Sequence, residues 1–218
     1  MKNNYPIDVR NKVKRVPKRG HYDRATIYPI LDSAFLCHVG FSVDEQPFVI
    51  PTAYGRKDDT IYLHGATTSR MMLNLEKGIP VCLTVTHLDG LVLARSAFHH
   101  SMNYRSAVVF GTARLVEGEE KLEGLRIVSE QILKDRWDES RQPIEKELKA
   151  TTVLRLDIDQ ASAKIRTGGP GDEKEDYALP IWAGVVPCEL KWGEAEADER
   201  LTPGIETANS VKQLLSRL

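Results

Sequence analysis

The sequence predicts an α+β fold in which an antiparallel β-barrel is flanked by helices. Three observations carry this expectation. Short segments of alternating apolar and polar residues recur between residues 34 and 116 and return at 151–166, the period of strands with one buried face. Helical periodicity is confined to a few segments, 24–33, 69–76 and 119–133. The order is helix, several strands with one short helix inserted, helix, then more strands. That order belongs to antiparallel sheets rather than to parallel ones built by strand–helix alternation.

The elements follow in order. Residues 1–20 lack a period and predict an irregular arm. Asp23 can cap a helix over 24–33 with Ile27, Ile30 and Leu31 on one face, against which Pro29 counts because it lacks a backbone donor. Cys37, Val39 and Phe41 alternate in a strand over 34–41. Asp44 and Glu45 turn the chain into a return strand over 47–54. After the polar Lys57-Asp58-Asp59 comes a strand over 60–64. A helix follows over 69–76, with Ser69 or Thr68 as N-cap and Gly78 beyond its end. Val81, Leu83 and Val85 mark a strand over 80–88. Asp89-Gly90 is a tight-turn signal that predicts a hairpin with a strand over 91–98. A long strand covers 104–116 and a helix 119–133. Leu154, Leu156 and Ile158 alternate in a strand over 151–159, and 161–166 forms a further extended piece. A Gly/Pro/acidic loop at 168–176 precedes an extended segment around Trp182, and a short helix covers 210–218.

Charge and cysteine content narrow the function classes. The formal net charge is −1, so no global field draws the chain to nucleic acid or to a membrane surface. The arm is locally basic, with Lys2, Arg10, Lys12, Lys14, Arg15, Lys18 and Arg19 against Asp8. It is either a solvated arm or one that reaches an anionic ligand or a partner subunit. Cys37, Cys82 and Cys188 are far apart and odd in number, which predicts reduced thiols rather than a disulfide framework. No stretch has the length of a membrane span, and the N-terminus lacks the apolar core of a secretory signal. The expectation is a cytoplasmic protein with an arm at 1–20, one domain at 21–190 and a tail at 191–218.

Few residues suggest chemistry. His64-Gly65-Ala66-Thr67-Thr68-Ser69-Arg70 joins a strand to a helix start, where small residues, free N–H groups, hydroxyls and a guanidinium suit a phosphate. An ordinary capped helix has the same pattern. Tyr104, Arg105 and Ser106 stand at a strand entrance, where Arg105 with Arg70 would match a dianion. Ile50, Pro51 and Thr52 offer strand-edge backbone to a flat heterocycle. His99 and His100 are adjacent, so in a strand they face opposite sides, and no Cys or His pair has zinc spacing. His38 and His87 fit structural roles. His64 is placed to bond a ligand or move a proton. No nucleophile constellation and no G-x-G-x-x-G is present. Trp182 is a candidate to stack on a ligand ring.

These segments, taken in order with RGHYDRAT at 19–26, CHVGF at 37–41, PFVIPTAYGR at 47–56, YLHGATTSR at 62–70, NYRSAVVFG at 103–111, KIRTG at 164–168 and DYALPIWAG at 176–184, resemble the pyridoxamine 5′-phosphate-oxidase-related flavoproteins, the branch that includes the nitroimidazole-resistance reductases. The resemblance implies a six-stranded antiparallel split barrel and a homodimer with FMN in the cleft between subunits. His64, Gly65, Ser69 and Arg70, with Tyr104, Arg105 and Ser106, would hold the phosphate. Ile50, Pro51 and Thr52, with Thr84, Val85 and Thr86, would line the isoalloxazine, and Trp182 would come from the other subunit. His64 is similar to the histidine that these reductases place near the flavin. The arginine and lysine set for vitamin B6 oxidation is not recognisable. The implied activity is oxidation or reduction of a small heteroaromatic or nitro compound, with reduced nicotinamide as a donor. A flavin carrier or sensor with little turnover is the alternative. Related split barrels also hold heme or a deazaflavin.

Overall fold

The computed structural model describes residues 3–216; Lys2 and the predicted end of the tail helix at 217–218 lie outside them. In chain order the elements are β1 (Gly20–His21), α1 (Arg24–Asp32), β2 (Leu36–Val43), β3 (Gln46–Lys57), β4 (Thr60–Ala66), α2 (Arg70–Leu75), β5 (Pro80–Leu93), β6 (Ser101–Leu115), α3 (Gly118–Ile132), α4 (Glu145–Ala150), β7 (Thr151–Arg166), β8 (Gly184–Pro187) and α5 (Asn209–Leu215). Six long strands form a closed ring in the order β7-β4-β3-β2-β5-β6, with β6 pairing back onto β7, and every pairing is antiparallel. The two short strands are additions: β1 pairs with β7, and β8 with β5. The predicted six-stranded barrel is therefore the fold.

Strand alternation explains the core. Val39, Tyr54, Leu63, Leu83, Val109 and Leu156 point inward and are fully buried, each such side chain contributing about 1.5–3 kcal/mol by leaving water. The barrel ends are closed by short helices. Asp23 caps α1 through the Thr26 N–H at 2.8 Å; Ile27, Ile30 and Leu31 seal one end, where the Tyr54 hydroxyl donates to the Leu31 carbonyl. Pro29 sits inside α1, tolerated because the helix is held by burial rather than by its own ladder. Met71, Met72 and Leu75 of α2 seal the opposite end. The outer surface of β3 and β4 is covered by α3, whose Ile127 and Val128 form a second core with Tyr62, Val116 and Val153.

Several expectations are corrected. Asp89-Gly90 is not a hairpin turn: β5 runs straight through it, with a bulge after Leu88. Asp89 is tied to Arg105 across the ladder, and β8 packs so closely that a Cβ on Gly90 would meet the Val186 carbonyl at 2.8 Å. The two extended pieces at 151–166 are one strand, bulged where Phe110 pairs with Gln160 and Gly111 with Ile158. The basic arm is not simply solvated: Tyr5 and Asn11 are buried, and Asn11 donates to the Ala161 carbonyl at 3.1 Å. α4 is an element the periodicity did not predict.

Candidate functional site

The outer face of β2, β3, β5 and β6 carries five of the predicted residues, Pro51, Thr84, Thr86, Tyr104 and Ser106. Register fixes which side chains share it. His38 pairs with Pro51 on one side and Thr84 on the other, and Thr86 pairs with Ser106. Pro51 and Thr86 are exposed, and Thr84, Tyr104 and Ser106 are half-buried. Ile50 packs against the main core, Val85 lies in it, and Thr52 pairs with the buried Cys37. Those three therefore present backbone, not side chain, to the outer face. His38, which the sequence assigned to structure, is exposed in the middle of this face. Its alternation with Cys37 and Val39 is the signal that places it there.

The loop from His64 to Arg70 lies at the α2 end of the barrel. Ser69 is the N-cap of α2, yet its hydroxyl makes no capping bond, so it is free for another acceptor. The Arg70 guanidinium stacks 5.2 Å from the centre of the Phe48 ring, a cation–π contact that holds its charge without neutralising it. Gly65 has a packing reason: a Cβ there would come within 3.1 Å of Met72. His64 shares the strand face of Tyr62, the face that α3 covers. Its Nδ1 is buried with no hydrogen-bond partner, and burial lowers its pKa below the usual histidine range. Burial therefore favours the neutral ring, which can donate or accept a hydrogen bond.

Arg105 is placed differently from the expectation. It is bound bidentately by Asp89, Nη2 to Oδ1 at 2.9 Å and Nε to Oδ2 at 3.0 Å, so its charge is already answered. It is also remote from Arg70. Phe48 pairs with Phe41, whose neighbour Gly40 pairs with Cys82, whereas Arg105 pairs with His87. At about 3.3 Å per residue along β5, the two levels differ by roughly 20 Å. One chain does not bring Arg70 and Arg105 to a single phosphate. Around Arg105 is a cleft of about 770 Å³ lined by Thr86, His87, Leu88, Asp89 and Leu190. The His87 Nε2 lies 3.0 Å from the Ile30 carbonyl. Trp182 is 66% exposed beside β8, at the same end as Arg105.

Sequence reasoning passed over Arg166, at the end of β7. It is buried and bonds Asn103 Oδ1 at 2.5 Å and the Gly169 carbonyl at 3.2 Å. The KIRTG segment contains it, but nothing in one sequence says that this arginine is buried.

Among the described residues no helix is long and apolar enough to cross a membrane. Comparison with curated proteins gives no match. Solved structures do match. The flavocytochrome Anf3 from Azotobacter vinelandii is 40% identical with a TM-score of 0.88, over 94% of this chain and 96% of that one. An FAD and heme binding protein from Mycobacterium smegmatis is 34% identical with a TM-score of 0.86, over 89% and 96%. A putative 5-nitroimidazole antibiotic resistance protein from Bacteroides thetaiotaomicron is 27% identical with a TM-score of 0.57, over 67% and 86%. The family model for pyridoxamine 5′-phosphate oxidase matches residues 23–165, the span from the α1 cap to the end of the barrel. The chain belongs to the pyridoxamine 5′-phosphate oxidase family.

Proposed function

We propose that this protein is a redox protein that binds a flavin and, like its two full-length relatives, a heme as well. The observation that carries this reading is their likeness along nearly the whole chain, one named a flavocytochrome and the other for FAD and heme. The same observation favours FAD over FMN, although both fit the flavin expectation. The residues suit a flavin. Among the described residues Arg70 has no carboxylate partner over Phe48 and the Ser69 hydroxyl makes no capping bond, and Pro51, Thr84 and Ser106 form an outward surface of small groups. The protein acts as a homodimer with its outer sheet faces together, so that the α2 end of one chain meets the Arg105 end of its partner, Trp182 included. Bound flavin and heme would supply electron transfer. His64, whose neutral form burial favours, then serves as a hydrogen-bonding residue that orients the flavin. The physiological reaction is an oxidoreduction of a small aromatic acceptor or another electron acceptor, fed by reduced nicotinamide or a protein donor.

Visible absorbance of the purified protein, with heme and FAD supplied, tests the reading: flavin bands together with a Soret band are expected. A preparation that takes up neither FAD, FMN nor heme overturns it. In the same assay Arg70→Ala is expected to weaken flavin binding at least about tenfold, the value of a lost charge-assisted phosphate contact. Unchanged affinity would move the phosphate away from α2.

A further inference from the structure

Arg166 presents a charge that no carboxylate answers among the described residues. Its side chain is 7% exposed, and a guanidinium stays protonated under all ordinary conditions. Burying such a charge is costly unless an opposite charge meets it. Its partners are neutral: the Asn103 side chain and the carbonyls of Gly168 and Gly169. Two more cations stand close. Lys164 lies two residues earlier on the same strand face, opposite Ser106, while Arg166 lies opposite Tyr104. Arg19 approaches from the segment before β1, whose Gly20 pairs with Lys164. Burial, and next the charge of Arg19, pull the Arg166 pKa down, as expected where like charges are held together. Among the described residues, none of the three has a carboxylate within ion-pair distance.

An apolar strip adjoins these cations on the same face. Leu88 pairs with Tyr104, and Leu91 pairs with Met102 and Val186. These four apolar side chains are each 45–48% exposed. A cation cluster bordering a flat apolar surface fits a ligand with the same division: a planar apolar body with two linked anionic groups along one edge.

We propose that Arg19, Lys164 and Arg166 form the anion-binding edge of a cofactor site, with Leu88, Leu91, Met102 and Val186 carrying the apolar body. The site rests on the redox-cofactor reading above, and is separate from the Arg70 loop at the far end of the barrel. Its ligand chemistry is a pair of linked anions, found in the two propionates of heme and in the diphosphate of FAD; since FAD has one diphosphate, the second assignment would take it from the Arg70 loop of the same chain. It also gives the basic arm a task, since Arg19 is its last cation.

The test is titration of wild-type protein, Arg19→Ala, Lys164→Ala and the double variant Arg19→Glu/Lys164→Glu with heme, FAD and FMN. The Soret band follows heme and flavin fluorescence follows the nucleotides. The side chains of Arg19 and Lys164 make no hydrogen bond among the described residues, so the fold is expected to survive, with circular dichroism as control. Each alanine should weaken binding at least about tenfold, and the double reversal more. Loss for heme alone assigns the propionates. Loss for FAD but not FMN assigns the diphosphate. Unchanged affinities for all three ligands, in variants of a protein that binds them, overturn this site and leave the cofactor reading standing. A wild-type protein that binds none of them overturns that reading itself.

Discussion

At the scale of single residues, Asp59 ties three separate segments together. The Tyr5 hydroxyl of the arm and the Tyr28 hydroxyl of α1 both donate to its Oδ1, and Arg24 reaches it with Nη2 at 2.7 Å and Nε at 2.9 Å. Burial pushes the Asp59 carboxyl up. The bonds from Arg24, Tyr28 and Tyr5 outweigh this and bring it down to about 2. A carboxylate with a depressed folded pKa contributes stability above its unfolded pKa of about 3.9, and loses it as the pH falls through the folded value. Between about pH 4 and pH 2 the arm and α1 should loosen from the β3–β4 turn. Urea midpoints measured across this range check it: Asp59→Asn should be less stable than wild type at neutral pH, with the gap closing near pH 2. A gap of constant size would mean that the charge on Asp59 does not matter. In the arm, the burial of Tyr5 and Asn11 was not legible in the sequence, because they lie within a basic stretch that hides them.

Whole elements were legible where one face is buried, and much less where packing across the sheet decides. The alternation of Cys37, Val39 and Phe41, or of Leu154, Leu156 and Ile158, predicted strands that lie where expected, and Asp23 predicted the start of α1. Asp89-Gly90 misled because the tie that straightens it, Asp89 to Arg105, joins different strands. α4 was missed because Glu145–Ala150 has no apolar stripe. Its order comes from Glu147 reaching back to the Ile144 N–H at 2.9 Å and from the Lys149–Glu145 pair. The site shared this limit: the residue types of the Arg70 loop were recognisable, but the opposite placement of Arg105 follows from register, which no local pattern states. Glycine in β3 is a case where the element dictates the residue. A Cβ on Gly55 would sit 2.6 Å from the Ile127 backbone, and backbone cannot step aside as a side chain can. Gly55→Ala should therefore push α3 from the sheet and cost about 1–3 kcal/mol by overpacking. Gly169→Ala, with nothing within 4 Å, serves as the silent comparison. Equal urea midpoints for the two variants would show that α3 tolerates the displacement.

On the scale of the whole molecule, the distribution of functional groups argues for two chains. One barrel carries Arg70 at its α2 end and Arg105 and Trp182 at the other, and between them lies an outer face with Val49 68% and Leu36 51% exposed. Exposed apolar residues on a sheet face rich in predicted ligand contacts are costly in a monomer and useful in a twofold dimer. In the proposed dimer, a twofold axis across that face would set each α2 end against the partner's outer end, making two equal sites, each with Arg70 from one chain and Trp182 from the other. This arrangement has a consequence that a site within one chain lacks. Arg70→Ala and Trp182→Ala, each weak in flavin binding alone, are mixed, unfolded together and refolded. Half of the dimers should then be mixed, each holding one wild-type site and one doubly altered site, so that about a quarter of all sites regain full affinity. Flavin fluorescence titration counts them, and sedimentation confirms the dimer. If both groups serve a site within one chain, every site keeps one lesion, mixing restores nothing, and the shared-site dimer is wrong.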